Sequence, residues 1–448
     1  MKLNQDYRHK FNHPHSVAVV SLYPKQGEVY SSGASGVASY TKNVVSKLNR
    51  PVVVAADVWG ASGANRQYQE QNSLVLRVWQ RGQFSMWTQI ISTLSKFNKI
   101  ESLLIHFDFS MYGGILTSAL ILPFLALVRV LGFRPIVVSH HVIKDVRNLS
   151  GQVGLGNGFK DTIKAFIYNF IFRCFYWLLG KTAAKVVVLE EPLKQKLKGT
   201  IPENKLIVIP HAVDNQLTQP SQHQARKRLG FQTDESVVMF FGYINWFKGA
   251  DFFANAVRDV SQLNGRPVRF VMAGGESPTL KDKHYYQQFY QQVINAVDAS
   301  PSLELTGYIP QDRIADYFAA ADLVVFPYRE FMCASGVMSL VFSYGKPFIV
   351  SSQLNPMLSS PDLSRALNTA GLRAMDMTFL LTKPSLLEVT EKVLHNGIKA
   401  KMEKITELVR AERSFAATAD NYQYLLQPAE LTQAAARSQG GLAYELEK

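Results

Sequence analysis

The residues best suited to chemistry follow apolar runs that have the composition of buried strands. His140 and His141 come directly after the run Pro135–Ser139, and His106 lies near the end of an earlier run. An imidazole in such a place can hydrogen-bond a hydroxyl group or transfer a proton near neutral pH. Core histidines are often structural, so the pattern leaves both a catalytic and a structural role open.

A second candidate lies in the other half of the chain, where Gly242 follows the apolar run Ser236–Phe241. Lys248 comes shortly afterwards, just before the predicted start of a helix. A lysine in that place can neutralise a departing diphosphate. A solvated surface lysine explains the segment equally well, so the lysine alone does not decide the function.

Two loops of small residues also suit an anion. The first, SSGASGVASY, contains Gly36 and precedes a predicted helix. The second leads from Glu330 to Ser335, a candidate N-cap that leaves the N–H groups of Gly336 and Val337 directed at an anion. Such N–H groups bind phosphate because they carry partial positive charge. Each loop alone is a weak signal, since a plain turn has the same composition.

The candidate residues can form a site only if the fold brings the ends of their strands together. Near-continuous Val, Ile and Leu runs alternate with helical stretches, which predicts parallel sheets covered on both faces. We therefore predict an α/β fold with two Rossmann-like doubly wound domains, each binding ligands at the carboxyl ends of its strands. The predicted domains are residues 1–214 and 215–400. Residues 401–427 are predicted to form a C-terminal helix that packs back toward the first domain, and residues 428–448 a flexible tail.

The formal net charge is +13, and the excess is confined to the first half of the chain. Residues 1–215 hold 25 Lys and Arg against 12 Asp and Glu, whereas the remainder holds 23 of each. A one-sided basic surface suggests an anionic membrane or nucleic acid, although it also favours solubility. Two apolar stretches with interspersed cations, residues 115–131 and 163–179, fit either core helices or helices lying at a bilayer surface.

Composition and motifs exclude several other classes of protein. With 47% hydrophobic residues the chain can bury full-sized cores, so it is not disordered. Its two cysteines, Cys174 and Cys333, cannot form a disulfide framework or a cysteine zinc site. The sequence has no HExxH, EF-hand, G-x-S-x-G or paired-aspartate motif. We therefore expect no serine triad, no catalytic metal and no bound cofactor.

At these residues the sequence resembles the retaining glycosyltransferases of the GT-B fold, in glycosyltransferase family four (glycosyl transferases group one). The resemblance extends over about residues 17–425 and rests on the order and spacing of several segments. The matching segments are VVVLEEPLKQKL at 186–197, IPHAVD at 209–214, GYINWFKGAD at 242–251, AGGE at 273–276, GYIPQDRIADYFAAADLVVFPY at 307–328 and GKPFIVSS at 345–352, together with Gly36 and His141.

The resemblance implies transfer of a sugar from a nucleoside diphosphate sugar, the co-substrate, with retention of configuration. The first domain would bind a glycan or lipid-linked acceptor and the second the donor, facing each other across a cleft. The implied donor or diphosphate contacts are Gly36, Gly242, Lys248, Ser335, Gly336 and Val337. His141 would lie near the transferred sugar and Glu330 would contact a sugar hydroxyl, so His141, Lys248 and Glu330 are the candidate catalytic residues.

His106 and His140 are the candidates on the acceptor side. The front-face mechanism usually proposed for this family needs no carboxylate nucleophile, because the leaving phosphate oxygen accepts the proton of the acceptor. In that mechanism the protein mainly positions the reactants and stabilises charge on the diphosphate.

The sequence departs from the family pattern at the donor site. Tyr243 stands where an arginine is usual, and Arg329 is a candidate substitute for that phosphate contact. Met332 and Leu340 replace the two glutamates that the family separates by seven residues. Leu340 cannot accept hydrogen bonds from a ribose diol, so the departure bears on nucleoside recognition.

Two other functions stay open on the sequence alone. A non-catalytic relative would bind a sugar or nucleotide as a scaffold, and missing donor turnover in a folded protein would favour it. A nucleic-acid binder is suggested only by the isoelectric point of about 9.5, without a recognisable module, so we expect no nucleic-acid partner. We expect a cytoplasmic enzyme of cell-surface polysaccharide or glycolipid synthesis, and leave open a peripheral contact with the anionic inner face of the membrane.

Overall fold

The chain forms two compact units. The computed structural model describes residues 3–29, 36–60, 66–156, 158–395 and 397–427. The first unit consists of the described parts of residues 1–144, 170–212 and 415–448. The second unit consists of the described parts of residues 145–169 and 213–414.

Buried runs rich in β-branched residues form most of the strands, as expected for sheets covered on both faces. The strands of the first unit are β1 (Val17–Ser21), β2 (Val52–Asp57), β3 (Gln67–Glu70), β4 (Ser73–Trp79), β5 (Ser102–Phe107), β6 (Arg134–Ser139), β7 (Lys185–Val188) and β8 (Leu206–Val208). Those of the second unit are β9 (Ser236–Phe241), β10 (Gln262–Leu263), β11 (Arg266–Ala273), β12 (Leu303–Leu305), β13 (Leu323–Phe326), β14 (Phe348–Ser351) and β15 (Thr378–Phe379).

Amphipathic segments between the strands form the helices, which bury their apolar side chains against the sheets. From the N-terminus they are α1 (Gln5–Phe11), α2 (Gly36–Val45), α3 (Met86–Leu94), α4 (Ile115–Ala119), α5 (Ile121–Val130), α6 (Ser150–Val153), α7 (Phe159–Thr182), α8 (Glu191–Leu197) and α9 (Gln222–Leu229). They continue as α10 (Ala250–Val257), α11 (His284–Asp298), α12 (Gln311–Ala320), α13 (Gly336–Ser343), α14 (Asn355–Leu358), α15 (Pro361–Ala370), α16 (Lys383–His395), α17 (Ile398–Glu412) and α18 (Phe415–Leu425).

The sheet of the first unit has the order β3-β4-β2-β1-β5-β6-β7-β8, and every pairing except β3 with β4 is parallel. The register pairs Phe107 of β5 with Ser139 of β6. Residues that follow these two positions therefore emerge side by side at the carboxyl edge. The antiparallel β3–β4 hairpin was absent from the sequence prediction, because β3 is polar and its turn depends on a positive φ at Gln71.

The sheet of the second unit runs β10-β11-β9-β13-β14-β15, with β12 paired to the same edge of β11 as β10. All pairings except β10 with β11 are parallel. Ala273 of β11 pairs with Phe241 of β9, so the glycines that follow both strands meet at the carboxyl edge. Two doubly wound α/β units confirm the predicted fold class.

The structure corrects the predicted domain boundaries in two places. Residues 145–169, predicted to belong to the N-terminal domain, lie in the second unit, because Gly151 and Gly154 pack against the rings of Trp246 and Tyr285. Residues 401–414 also lie in the second unit, where α17 packs against α15 and α13. α18 lies in the first unit against α2. The predicted tail, residues 428–448, lies outside the described residues.

The two apolar stretches noted in the sequence form helices. Residues 115–131 form α4 and α5, which are separated at Leu120. Residues 163–179 lie within α7, a 24-residue helix that belongs to the second unit up to Asn169 and to the first unit from Phe170. In the described part of the chain, no helix is both long enough and apolar enough to cross a membrane.

Candidate functional site

The carboxyl edge of the second sheet is built from glycines that allow close approach. Gly242 follows β9 with a φ of +108°, a conformation that favours glycine. Its N–H donates to the carbonyl of Ala273 at 2.9 Å. A Cβ atom on Gly274 would collide with the carbonyl of Gly242. The two loops that leave β9 and β11 are therefore pressed together at the sheet edge.

Lys248 ends a short 3₁₀ turn, Trp246–Lys248, that leads into α10. The turn is fixed by Gly249, whose φ of +69° lets the backbone reverse against the carbonyl of Pro327. Asn245 precedes the turn and is buried, and its Oδ1 has no hydrogen-bond partner within the described residues. The lysine therefore projects from a rigid loop rather than from a mobile surface segment.

The ammonium group of Lys248 lies against two other predicted site residues. A Cβ atom added to Gly242 would lie 2.9 Å from Nζ of Lys248 and 3.1 Å from Cγ2 of Val337. Burial lowers the pKa of Lys248 from 10.5 to about 8. Within the part of the chain that the structure describes, Nζ makes no hydrogen bond or ion pair. A partly desolvated cation without a counter-charge favours binding of an anion.

The start of α13 lies beside this lysine. Ser335 is its N-cap, and its Oγ accepts from the N–H of Met338 at 3.2 Å. The hydroxyl of the buried Tyr328 lies 3.1 Å from the same Oγ. The cap leaves the first N–H groups of the eight-residue helix, from Gly336 onward, available to a ligand.

Arg329 supports the lysine loop. Its guanidinium makes two bonds to the carboxylate of Asp251, at 2.6 and 2.8 Å, and donates to the carbonyl of Trp246 at 2.8 Å. It also lies 4.7 Å over the Trp246 ring. The predicted phosphate contact of Arg329 would have to displace Asp251, because these partners already hold the guanidinium.

Glu330 is held by the segment that the sequence had placed in the other domain. Its Oε2 accepts from Nδ2 of Asn148 at 3.0 Å. Asn148 lies in a turn capped by Asp145, whose carboxylate also accepts from Asn169 at 2.7 Å. Gly151, in the following helix, packs on the indole of Trp246. Residues 145–169 therefore buttress both the lysine loop and Glu330.

The carboxyl edge of the first sheet carries a different arrangement. His141 pairs through Nδ1 with Oδ2 of the buried Asp108. The N–H and Oγ of Ser110 both donate to Oδ1 of Asp108 at 2.6 Å. Burial by itself would raise the pKa of Asp108, but His141 and Ser110 together lower it well below the usual value. A neutral His141 that donates from Nδ1 presents Nε2 as an acceptor.

His106 and His140 lie behind this pair in the core of the first unit. His106 is fully buried and His140 nearly so, and Nδ1 of His106 lies 2.9 Å from Nε2 of His140. Burial lowers the pKa of His106 to about 3, and it lowers that of His140 as well. The ring of Tyr40 from α2 packs on both. The shielded rings thus support α2 in the core, and the predicted acceptor-side role of His106 and His140 stays a prediction.

Gly36 is exposed and is the first residue of α2. A Cβ atom there would meet nothing within 4 Å, so close packing does not require glycine at this position. The small-residue loop before it, residues 30–35, lies outside the described residues. A diphosphate contact at Gly36 stays a prediction.

Residues 235–360 match the family described as glycosyl transferases group 1, a range that covers the whole glycine and lysine edge of the second sheet. Over these residues the chain is similar to group 1 glycosyltransferases, and its two doubly wound units have the GT-B fold. Among curated proteins, an uncharacterized glycosyltransferase of Methanocaldococcus jannaschii is 23% identical over 180 residues. That match covers 38% of this chain and 43% of the relative.

Solved structures match the chain over nearly its full length. Sucrose-phosphate synthase from Thermosynechococcus elongatus has a TM-score of 0.67 at 14% identity, covering 95% of this chain and 100% of that one. HepE from Anabaena, in complex with UDP and glucose, has a TM-score of 0.60 at 14% identity, covering 92% and 99%. At such identities these likenesses establish the fold.

The structure brings together Gly242, Lys248 and Val337 at one edge and pairs His141 with a carboxylate at another. Asp108 was not among the predicted site residues. Its position directly after β5, beside a strand that ends in two histidines, was the signal that could have found the pair. Asn148 gave no comparable signal, because its contact with Glu330 joins residues far apart in the chain.

The described residues contain no cluster of three or more His, Cys, Asp or Glu side chains able to hold a metal ion. Lys248 and the N–H groups at the start of α13 carry positive charge at the second sheet edge. Both groups favour an anionic ligand because each presents positive charge at a fixed position.

Proposed function

We propose that this chain is a glycosyltransferase that moves a sugar from a nucleoside diphosphate sugar to a glycan or lipid-linked acceptor, with retention of configuration. The observation that carries the proposal is the uncompensated ammonium of Lys248, held against Gly242 and Val337. A diphosphate supplies the counter-charge that this site lacks. The group 1 match over the same residues supports a sugar donor rather than another anion.

The nucleotide part of the proposal has separate support. HepE, whose fold this chain shares, was solved with UDP and with UDP-glucose. The two exposed tyrosines Tyr243 and Tyr308 lie close enough for their hydroxyls to interact electrostatically. Aromatic rings offer a stacking surface to a nucleobase. In this proposal, stacking of the nucleobase on these two tyrosine rings compensates for the arginine that is missing at 243 and the glutamate that is missing at 340.

The proposed reaction forms a bond between an acceptor oxygen and the anomeric carbon on the face from which the diphosphate leaves. The bond between that carbon and the phosphate oxygen breaks, and the proton of the acceptor hydroxyl passes to the departing phosphate oxygen. Lys248 and the α13 N–H groups stabilise the charge that grows on the diphosphate. No protein nucleophile takes part, and the charge compensation that a metal ion provides in other enzymes comes from these groups.

Two further side chains position the sugar in this proposal. Nε2 of His141, oriented by Asp108, accepts a hydrogen bond from a sugar hydroxyl. Glu330, held by Asn148, accepts from another hydroxyl. Both are hydrogen-bond acceptors fixed by a partner, which is what selective recognition of hydroxyl groups requires.

The acceptor is proposed to belong to cell-surface polysaccharide or glycolipid synthesis, with the enzyme in the cytoplasm and in peripheral contact with anionic membrane. The support is the basic first half of the chain and the exposed apolar side chains of α7. A lipid-linked acceptor would be presented at such a surface.

The test is a screen of the purified full chain against a panel of nucleoside diphosphate sugars and free nucleoside diphosphates, read by thermal shift and by diphosphate release. We expect one donor to raise the melting temperature and to be hydrolysed slowly in the absence of acceptor. The anomeric configuration of a product formed with that donor then tests retention. Donor binding without release or transfer to any glycan would support the scaffold alternative and contradict the enzyme.

Lys346 provides a matched control for this screen. Burial lowers its pKa to about 8, as for Lys248, but its Nζ donates to the carbonyls of Ala319 and Ala321 at 3.1 Å. Lys248→Ala should abolish the donor-induced shift, whereas Lys346→Ala should lower the melting temperature and keep the shift. Equal losses of the donor shift in both variants would contradict a specific role for Lys248.

A further inference from the structure

α7 exposes an apolar stripe, contrary to the usual polar outer face of a helix in a globular protein. Phe159 and Phe166 are 80% and 74% exposed. The stripe follows the three- and four-residue spacing that places side chains on one side of a helix. Its members are Phe159, Ile163, Phe166, Ile167, Phe170, Ile171, Trp177 and Leu178.

α4 and α5, in the first unit, also expose apolar side chains. Ile115, Leu116 and Val130 are each more than 70% exposed. Arg129, near the end of α5, donates to the carbonyls of Lys181 and Thr182 at 3.2 and 3.4 Å, so the C-terminal ends of α5 and α7 adjoin. We call the exposed apolar side chains of these three helices the α7 face. Exposed apolar side chains in such number mark an interaction site.

The charges around the α7 face identify its occupant. α7 itself carries Lys160, Lys164, Arg173 and Lys181 and only one acidic residue, Asp161. Nζ of Lys181 lies 5.7 Å over the ring of Trp177, which places a cation beside an exposed aromatic side chain. Cations bordering exposed aromatic and aliphatic side chains are complementary to anionic headgroups above acyl chains.

A second cluster of cations lies where α5 and α7 end. Burial lowers the pKa of Lys205, and the nearby charges of Arg129, Lys181 and Lys185 lower it further. The residues of the first unit, 1–144, 170–212 and 415–448, hold 24 Lys and Arg against 13 Asp and Glu, whereas those of the second unit hold 24 against 22. The α7 face therefore borders the basic unit, which an anionic surface attracts over a distance of about a Debye length.

We propose that the α7 face docks on an anionic lipid surface, with α7 lying in the interfacial plane. Lys164 and Arg173 interrupt its apolar length, and no helix among the described residues meets the requirements for crossing a bilayer. Aromatic side chains enter the acyl boundary while the cations stay at the headgroups. The docking rests on the proposed function only for its purpose, which is to bring the enzyme to a lipid-linked acceptor.

The test is co-sedimentation of the full chain with phosphatidylcholine vesicles, with or without phosphatidylglycerol. We expect binding that requires phosphatidylglycerol and weakens as salt is added. Lys164→Gln and Arg173→Gln should each weaken binding about fivefold. Phe166→Ser and Phe170→Ser should each weaken it about tenfold. Leu380→Ser, at an exposed leucine of the second unit outside the α7 face, is the matched control and should bind as the unsubstituted chain does.

Two outcomes would overturn the docking. The first is binding that none of the four α7 variants weakens. The second is self-association in sedimentation velocity without lipid that Phe166→Ser abolishes, which would make a second copy the occupant. Donor-induced thermal shift without vesicles is measured on the same samples. Vesicle binding without any donor-induced thermal shift would contradict the proposed function and support the docking. A donor-induced thermal shift without vesicle binding would contradict the docking alone.

Discussion

The two sheet edges differ in how far their charged groups are satisfied. At the first, Asp108 has both Ser110 donors and the His141 ring as partners. At the second, the ammonium of Lys248 lies beside Gly242, and among the described residues no carboxylate pairs with it. A satisfied pair fixes the direction of a side chain before any ligand arrives, whereas an unsatisfied cation gains most of its stabilisation from the ligand. The first edge is thus built to orient, and the second to bind charge.

Removing the unsatisfied cation gives the largest expected effect. Lys248→Ala should lower sugar transfer about 100-fold or more, because a stabiliser of the leaving charge is lost. The same change should leave the melting temperature of the unliganded protein equal or higher, since it removes a desolvated cation. Steady-state kinetics and thermal unfolding measure the two effects. A loss of stability that matches the loss of activity would mean that Lys248 is structural.

Removing the orienting carboxylate gives the next effect. Asp108→Asn should lower transfer about 10- to 100-fold, because an amide can reverse the tautomer of His141. It should also lower stability above pH 4, where the carboxylate with its depressed pKa contributes to folding, so rates are compared per folded molecule. A double variant with His141→Ala should be no slower than His141→Ala alone. Additive losses would show that Asp108 acts independently of the histidine.

The pH dependence of diphosphate affinity tests the charge state at the second edge. The pKa of Lys248 in the free protein is about 8, and a bound diphosphate would raise it, so binding favours the protonated lysine. Affinity should therefore fall about tenfold per pH unit above the free-protein pKa, until the pKa of the complex is reached. Isothermal titration calorimetry in buffers of different ionisation heats should show proton uptake in this range. Lys248→Ala should show neither effect, and a flat profile in the unsubstituted protein would contradict the assignment.

Without a ligand, a rise in pH has the opposite effect, because it increases the stability of the folded protein. Because folding lowers the pKa of Lys248 from 10.5, the unfolded chain holds more protons between about pH 8 and 10.5, and this lysine makes the folded state more stable as pH rises through that range.

The smallest expected effect concerns the packing of residues 145–169 against the lysine loop of the second sheet edge. A Cβ atom on Gly151 would lie 2.5 Å from the indole of Trp246, so Gly151→Ala should cost about 1–3 kcal/mol of stability through overpacking. Donor affinity should fall severalfold, because Trp246 begins the lysine turn. Gly158→Ala in the same segment meets its nearest atom only at 3.9 Å and is the control. Thermal unfolding and donor titration compare the two, and equal effects would contradict the buttress.

The amino-acid pattern alone was enough to predict the α/β class and most of the strands of both sheets, because near-continuous Val, Ile and Leu runs leave a parallel sheet as the arrangement that buries them. It also determined the candidate positions Lys248 and His141, since residues after strands of such a sheet meet at its carboxyl edge. The family pattern added the role of each. The β3–β4 hairpin was not predicted, because its polar strand β3 lacks the apolar pattern of the other strands.

Which of these groups already have partners is apparent only from the folded structure. It paired Arg329 with Asp251 and Asp108 with His141, buried His106, and left Lys248 without a counter-charge among the described residues. It also joined residues 145–169 to the second unit and left the apolar stripe of α7 exposed. The physical reason is that burial and pairing depend on contacts between residues distant in the chain, whereas hydrophobic periodicity and strand-end position are local properties of the sequence.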